Sequence, residues 1–215
     1  GLVATVATLA LCALTRELPL MMGWRFLSGV GSAWVFACGG ALVAANYAHA
    51  PARAAQAIAI YYAGGGLGIA LSGLLLAPVL EGAWPWTSGW LAFGLIGAAF
   101  SVWPARLALR IGGATAAITN ERVLVRRYLP IMIAYALFGV GYIVYLTFVI
   151  AWMREMKLGV AATVGVWVWL GLAVIASGWM WRGAMARWWP GHTFSAATLF
   201  TGIGTALPLL SNHPA

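Results

Sequence analysis

Arg25 is the residue of this sequence best placed to do chemistry, because it heads an uncharged run that continues to Ala52. A cation in an apolar helix either extends its side chain out of the apolar region or faces the interior of a helix bundle. In the interior, it could bind a substrate anion or tune an acid that carries protons. We predict the interior position, because small residues that mark a packed helix face follow at four-residue spacing. These residues are Gly29, Ala33, Ala37, Ala41 and Ala45.

Two tyrosines further along the chain could bind a polar molecule through their hydroxyl groups. Tyr135, Gly139 and Tyr142 are separated by four and three residues, so they share one face of a helix. Tyrosines on such a face line a polar cavity or anchor a helix at a membrane surface, and both interpretations stay open. We take Tyr135 and Tyr142 as candidates for a substrate pathway.

The remaining ionisable residues argue against an enzyme. The three histidines fall in predicted turns or at one end, so no metal site is expected. The four carboxylates lie outside the long apolar runs, at Glu17, Glu81, Glu121 and Glu155. A membrane-embedded enzyme would need acids or histidines inside those runs, and no nucleotide loop, catalytic triad or haem motif occurs. We therefore expect no cofactor, and we expect any proton-carrying acid to lie in helices outside this sequence.

The composition indicates a protein surrounded by lipid. The 215 residues are 63% hydrophobic and 7% charged, with a mean hydropathy of +0.92. Soluble domains carry roughly 25% charged residues, because a folded surface must face water. The formal charge of +8 does not indicate nucleic acid, since the basic residues lie at the ends of apolar runs and form no stripe. The partners implied are the lipid bilayer and a small molecule.

The uncharged stretches are long enough to cross a membrane as helices, which takes about 17–25 residues. They lack the alternation of barrel strands, so we predict an all-α, polytopic membrane helix bundle, in which Pro19 separates the first two helices. The seven predicted helices span about residues 1–14, 23–47, 54–79, 86–109, 128–152, 159–181 and 192–210. Since the first is too short to cross a membrane, we expect the sequence to be a fragment whose start has been cut.

The distribution of basic residues predicts the orientation in the membrane. One side would hold Arg53, Arg106, Arg110, Arg122, Arg126, Arg127, Arg182 and Arg187. The other side would hold Arg16, Arg25, Arg154 and Lys157. Because basic loops are retained in the cytoplasm, the first side, which includes segment 110–127, should be cytoplasmic.

The run from Arg25 to Ala33 resembles the fourth-helix motif of the major facilitator superfamily. In that motif an arginine is followed by glycines at the fourth and sixth positions and then by a small residue. Arg25, Gly29, Gly31 and Ala33 match these positions one for one. The resemblance implies a role in proton coupling for Arg25.

The next helix is similar to the glycine-rich fifth helix of the family. Gly64, Gly68 and Ser72 form a second stripe of small residues, which either only packs or also permits helices to rock. The Gly-Pro pair typical of the family's antiporters is absent. Near the eighth helix, Arg187 fits the family's short cytoplasmic gating motif, although Ala186 stands where an aspartate is expected.

The resemblance implies that the seven helices are the third to ninth of a twelve-helix transporter, similar to the bacterial YbfB/YjiJ type. Residues 1–109 would belong to the first six-helix half, 110–127 to the cytoplasmic linker, and 128–215 to the second half. The protein would then be a proton-coupled secondary transporter of the bacterial inner membrane that moves a small molecule by alternating access. Two alternatives stay open, a non-transporting scaffold or assembly subunit and an inactive truncated transporter.

Overall fold

A computed structural model describes residues 1–110 and 125–210, which form eight α-helices and no strand. The helices are α1 (Leu2–Leu14), α2 (Leu18–Asn46), α3 (Pro51–Leu80), α4 (Trp86–Arg110), α5 (Val125–Glu155), α6 (Val160–Met180), α7 (Arg182–Arg187) and α8 (Pro190–Leu210). The all-helical prediction is thus confirmed for the described residues. Five helices, α2 to α6, are long and apolar enough to cross a membrane. The count of seven spans and the twelve-helix architecture stay predictions.

Two boundaries differ from the sequence-based expectation. Helix α2 begins at Leu18, so Pro19 lies in its first turn instead of separating it from α1. Proline is tolerated there because the amide hydrogens of a first turn have no partner within the helix. Arg25 consequently lies about two turns inside α2, rather than at its start. In the predicted linker 110–127, Arg110 ends α4 and α5 begins at Val125, while residues 111–124 lie outside the described part.

The helices cluster into two compact units. One contains α1 to α4 together with α6, and the other contains α5, α8 and most of α7. In the first unit, α1 packs against both α2 and α4, and α3 packs against α6. Helix α6, predicted to belong to the second half, thus lies against a helix predicted to belong to the first. The division into halves at 110–127 stays a prediction.

Glycines lie at two helix contacts of the first unit, at ordinary contact distance between α1 and α4 and at a closer approach between α3 and α6. Where α1 meets α4, a Cβ atom added to Gly94 would lie 3.5 Å from the backbone nitrogen of Ala10. Where α3 meets α6, a Cβ on Gly73 would lie 2.6 Å from the Cβ of Trp167. Small side chains at such points let helix backbones approach closely, which is how apolar helices associate in lipid.

Candidate functional site

Arg25 contacts an aromatic ring. Its guanidinium carbon lies 5.0 Å from the centroid of the Trp90 ring in α4, within the range of about 6 Å for a cation–π interaction. Arg25 is exposed, and no carboxylate in residues 1–110 or 125–210 forms an ion pair with it. Among the described residues, the positive charge of Arg25 therefore lies beside an aromatic face and is not neutralised by a carboxylate.

The backbone near Arg25 is held against α1. The indole Nε1–H of Trp24 donates a hydrogen bond of 3.2 Å to the Thr15 hydroxyl, which itself donates to the Leu11 carbonyl at 2.8 Å. One turn after Arg25, Ser28 is buried. These contacts fix the turn of α2 from which the Arg25 side chain extends.

Of the small residues in the arginine motif, Gly31 packs against α1, whereas Gly29 and Ala33 are exposed. A Cβ on Gly31 would lie 2.9 Å from the Thr5 hydroxyl oxygen of α1, whereas a Cβ on Gly29 would meet nothing within 4 Å. Ala33 is exposed, and so are the other three alanines of its stripe. The face of α2 that packs on α1 therefore runs through Ser28 and Gly31. A packing or rocking role for Gly29 and Ala33 stays a prediction.

On helix α3, too, the packed face differs from the predicted stripe of small residues. Gly64 and Gly68 face open space, and the Ser72 hydroxyl donates only within its own helix, to the Ile69 carbonyl at 2.8 Å. The face packed on α6 is formed by other small residues, which are buried, at Gly66, Ala70 and Gly73. Their spacing of four and three residues was a signal of equal quality in the sequence. The predicted rocking role of the Gly64, Gly68 and Ser72 stripe stays untested by these contacts.

Tyr61 joins α3 to α2 through its hydroxyl group and its ring. Its hydroxyl lies 3.1 Å from the Val35 carbonyl oxygen and 3.2 Å from that of Phe36, and it can donate to either. The ring rests against Gly39, where a Cβ would meet the Tyr61 Cζ atom at 2.8 Å. Tyr62 and Phe36 complete an aromatic cluster, with ring centroids 4.9 Å apart. A glycine facing a tyrosine on the neighbouring helix is the signal that could have revealed this contact.

An apolar cavity of about 850 Å³ lies beside Tyr61. Its walls come from the beginning of α1, from α2 between Trp34 and Asn46, and from Pro104 and Leu107 of α4. The polar residues that line it include Asn46 and Tyr61.

The predicted tyrosines of the second unit lie on α5. Phe138 lies between them, its ring centroid 6.4 Å from that of Tyr135 and 6.2 Å from that of Tyr142, with the latter pair nearly parallel. Tyr135 is 59% exposed and Tyr142 is half-buried. The shared face predicted from spacing is therefore an aromatic row. Arg187, the predicted gating residue, ends α7 with its side chain exposed.

The whole chain, residues 1–215, matches the family model described as "Uncharacterised MFS-type transporter YbfB". The chain belongs to the major facilitator superfamily. The resemblance seen in the sequence is thus confirmed over its full length. No curated protein and no solved structure matches the chain.

Membership of the major facilitator superfamily makes the chain a multi-pass membrane transporter, which agrees with the five long apolar helices found in the described part of the chain. Such a transporter has a small-molecule substrate, and membership favours transport over an enzymatic activity. Within residues 1–110 and 125–210, no three histidine, cysteine or acidic side chains are grouped so that they could hold a metal ion.

Proposed function

We propose that the chain is part of a proton-coupled secondary transporter that moves a small molecule by alternating access. Arg25 would supply the positive charge that couples proton movement to substrate movement. The observation that carries this proposal is the guanidinium of Arg25, which lies on a helix of a transporter beside the Trp90 ring and has no carboxylate partner within residues 1–110 and 125–210. A charge in an apolar helix costs free energy, and it is retained where it has a function.

The α3–α6 contact supports alternating access. Transporters with two related halves change access when one half rocks against the other. In the proposed architecture, residues 1–109 and 128–215 belong to different halves, so α3 and α6 would meet at their boundary. Glycines at that contact leave few interdigitated side chains to separate when the halves move.

The other candidate residues take supporting roles in this proposal. Tyr135 and Tyr142 would face the substrate pathway, and the aromatic row with Phe138 would stack on a flat or apolar part of the substrate. Gly29, Gly31, Ala33, Gly64, Gly68 and Ser72 would form smooth faces for helix movement. Arg187 would act in a gating loop on the cytoplasmic side, together with segment 110–127, in a bacterial inner membrane. The seven predicted helices would be the third to ninth of a twelve-helix protein.

Vesicles with a pH-sensitive dye inside test the transport function. The natural protein is reconstituted into liposomes that contain pyranine, and a library of small polar and amphipathic molecules is added outside at neutral pH. We expect at least one molecule to change the internal pH and to be taken up as a tracer, and empty liposomes to show neither effect. Tracer uptake without a pH change would remove proton coupling. A complete absence of flux would favour a scaffold or an inactive transporter.

A further inference from the structure

Helix contacts fix the backbone at Trp90, the aromatic partner of Arg25. Trp90 follows Gly89, which is buried and packed on α3, where an added Cβ would lie 2.9 Å from the Leu76 Cδ2 atom. One turn later, Gly94 packs on Ala10 of α1. Contacts on two neighbouring helices therefore fix the backbone on both sides of Trp90. The Trp24–Thr15 hydrogen bond holds the α2 backbone at Arg25. The position of the guanidinium therefore depends on the conformation of the long Arg25 side chain.

An aromatic ring holds a guanidinium differently from a carboxylate. The negative face of the ring attracts the cation through its quadrupole but carries no net charge, so the positive charge is not neutralised. A carboxylate would cancel that charge and compete with any anion or acid that approaches later. The ring therefore limits the positions of Arg25 while leaving its charge available.

We propose that Trp90 is a positioning residue, which holds the Arg25 guanidinium where it acts on the substrate anion or the proton-carrying acid. The positional part of this inference rests on the described contact alone, whereas the effect on transport rests on the proposed role of Arg25. A positioning role predicts that the aromatic character of residue 90 matters, and that tryptophans elsewhere on α4 do not. Trp86, one turn earlier and partly exposed, provides the matched control.

Nuclear magnetic resonance of the natural transporter in lipid nanodiscs, labelled with ¹⁵N-arginine, tests the contact. The Arg25 side-chain signal is assigned as the one missing from Arg25→Lys. In the wild type, we expect its protons to be shifted upfield by the indole ring current. Trp90→Leu should abolish this shift, Trp90→Phe should keep part of it, and Trp86→Leu should leave it unchanged. A shift that persists in Trp90→Leu would overturn the proposal.

The proton flux of the same variants tests the consequence, with a substrate found in the dye-filled vesicles. Trp90→Leu should lower the coupled flux about 2- to 30-fold, the range that corresponds to exposed and desolvated cation–π interactions. Trp90→Phe should recover most of it, and Trp86→Leu should match the wild type. If the ring-current shift is lost in Trp90→Leu but the flux is unchanged, Trp90 has no positioning role, whereas Arg25 itself is tested separately by its own substitution. If Arg25→Ala also leaves the flux unchanged, the proposed function of Arg25 fails as well.

Discussion

Gly66 of α3 and Gly171 of α6 face each other where the two helices cross. A Cβ atom on Gly66 would be 2.6 Å from the Gly171 carbonyl oxygen. In the other direction, a Cβ on Gly171 would meet the Gly66 carbonyl oxygen and would lie 2.7 Å from the Cβ of Ala70. Each glycine thus makes room for the backbone of the other helix. The contact joins two helices that belong to different halves in the proposed architecture.

Alanine at position 171 should weaken this contact. The new methyl group meets backbone atoms that cannot rotate away, and overpacking of this kind costs roughly 1–3 kcal/mol. Gly165 provides a control on the same helix, since a Cβ there meets nothing within 4 Å. We expect Gly171→Ala to lower the unfolding temperature in detergent and Gly165→Ala to leave it unchanged or slightly raised, because alanine is the better helix former. Equal unfolding temperatures for the two variants would contradict the close approach of α3 and α6.

Substitution of the two glycines of the arginine motif should show which of them packs against α1. Gly31→Ala places a methyl group 2.9 Å from the Thr5 hydroxyl oxygen and 3.2 Å from the Gly1 carbonyl oxygen, so we expect a loss of stability of about 1–3 kcal/mol. Gly29→Ala meets open space and should be neutral or slightly stabilising. Denaturant-induced unfolding in mixed micelles measures both. If Gly29→Ala were the more destabilising change, the face of α2 that contacts α1 would have to be reassigned.

The Tyr61 hydroxyl should contribute a measurable hydrogen bond between α3 and α2. Tyr61→Phe removes its contacts with the Val35 and Phe36 carbonyl oxygens, and we expect a loss of about 0.5–1.5 kcal/mol. Tyr62→Phe is the matched control, because Tyr62 belongs to the same aromatic cluster but its hydroxyl donates to no other described residue. The free energies of unfolding of both variants and of the wild type provide the comparison. A loss in Tyr62→Phe as large as that in Tyr61→Phe would show that the hydroxyl contact is not specific.

The helices could be predicted from the sequence because charge and hydropathy divide it so clearly. Long runs without charge leave the backbone no alternative in lipid but to bond within its own helix. The predicted start of α2 was wrong, because a proline such as Pro19 can either end a helix or occupy the first turn of one. Only the neighbouring structure decides which of these two positions it takes.

The packed faces could not be predicted, because each helix carries several interleaved stripes of small residues. On α3, the stripe through Gly64 and Gly68 and the stripe through Gly66 and Ala70 have equal spacing, yet only the second meets α6. In a globular protein, polarity marks the exposed stripe, but lipid is as apolar as the helix and removes this distinction. The Arg25–Trp90 contact could not be predicted from the sequence either, because it depends on α2 and α4 both packing against α1.

Replacement of Arg25 tests the central claim most directly. Proton flux driven by the identified substrate is measured in dye-filled vesicles for the wild type, Arg25→Ala, Arg25→Lys and Arg16→Ala. Arg16 is predicted to lie on the same side of the membrane and is exposed, so it controls for the loss of a positive charge. We expect Arg25→Ala to abolish proton-driven accumulation at an unchanged amount of inserted protein, Arg25→Lys to retain part of it, and Arg16→Ala to match the wild type. Undiminished proton-coupled accumulation by Arg25→Ala would contradict the proposed coupling role.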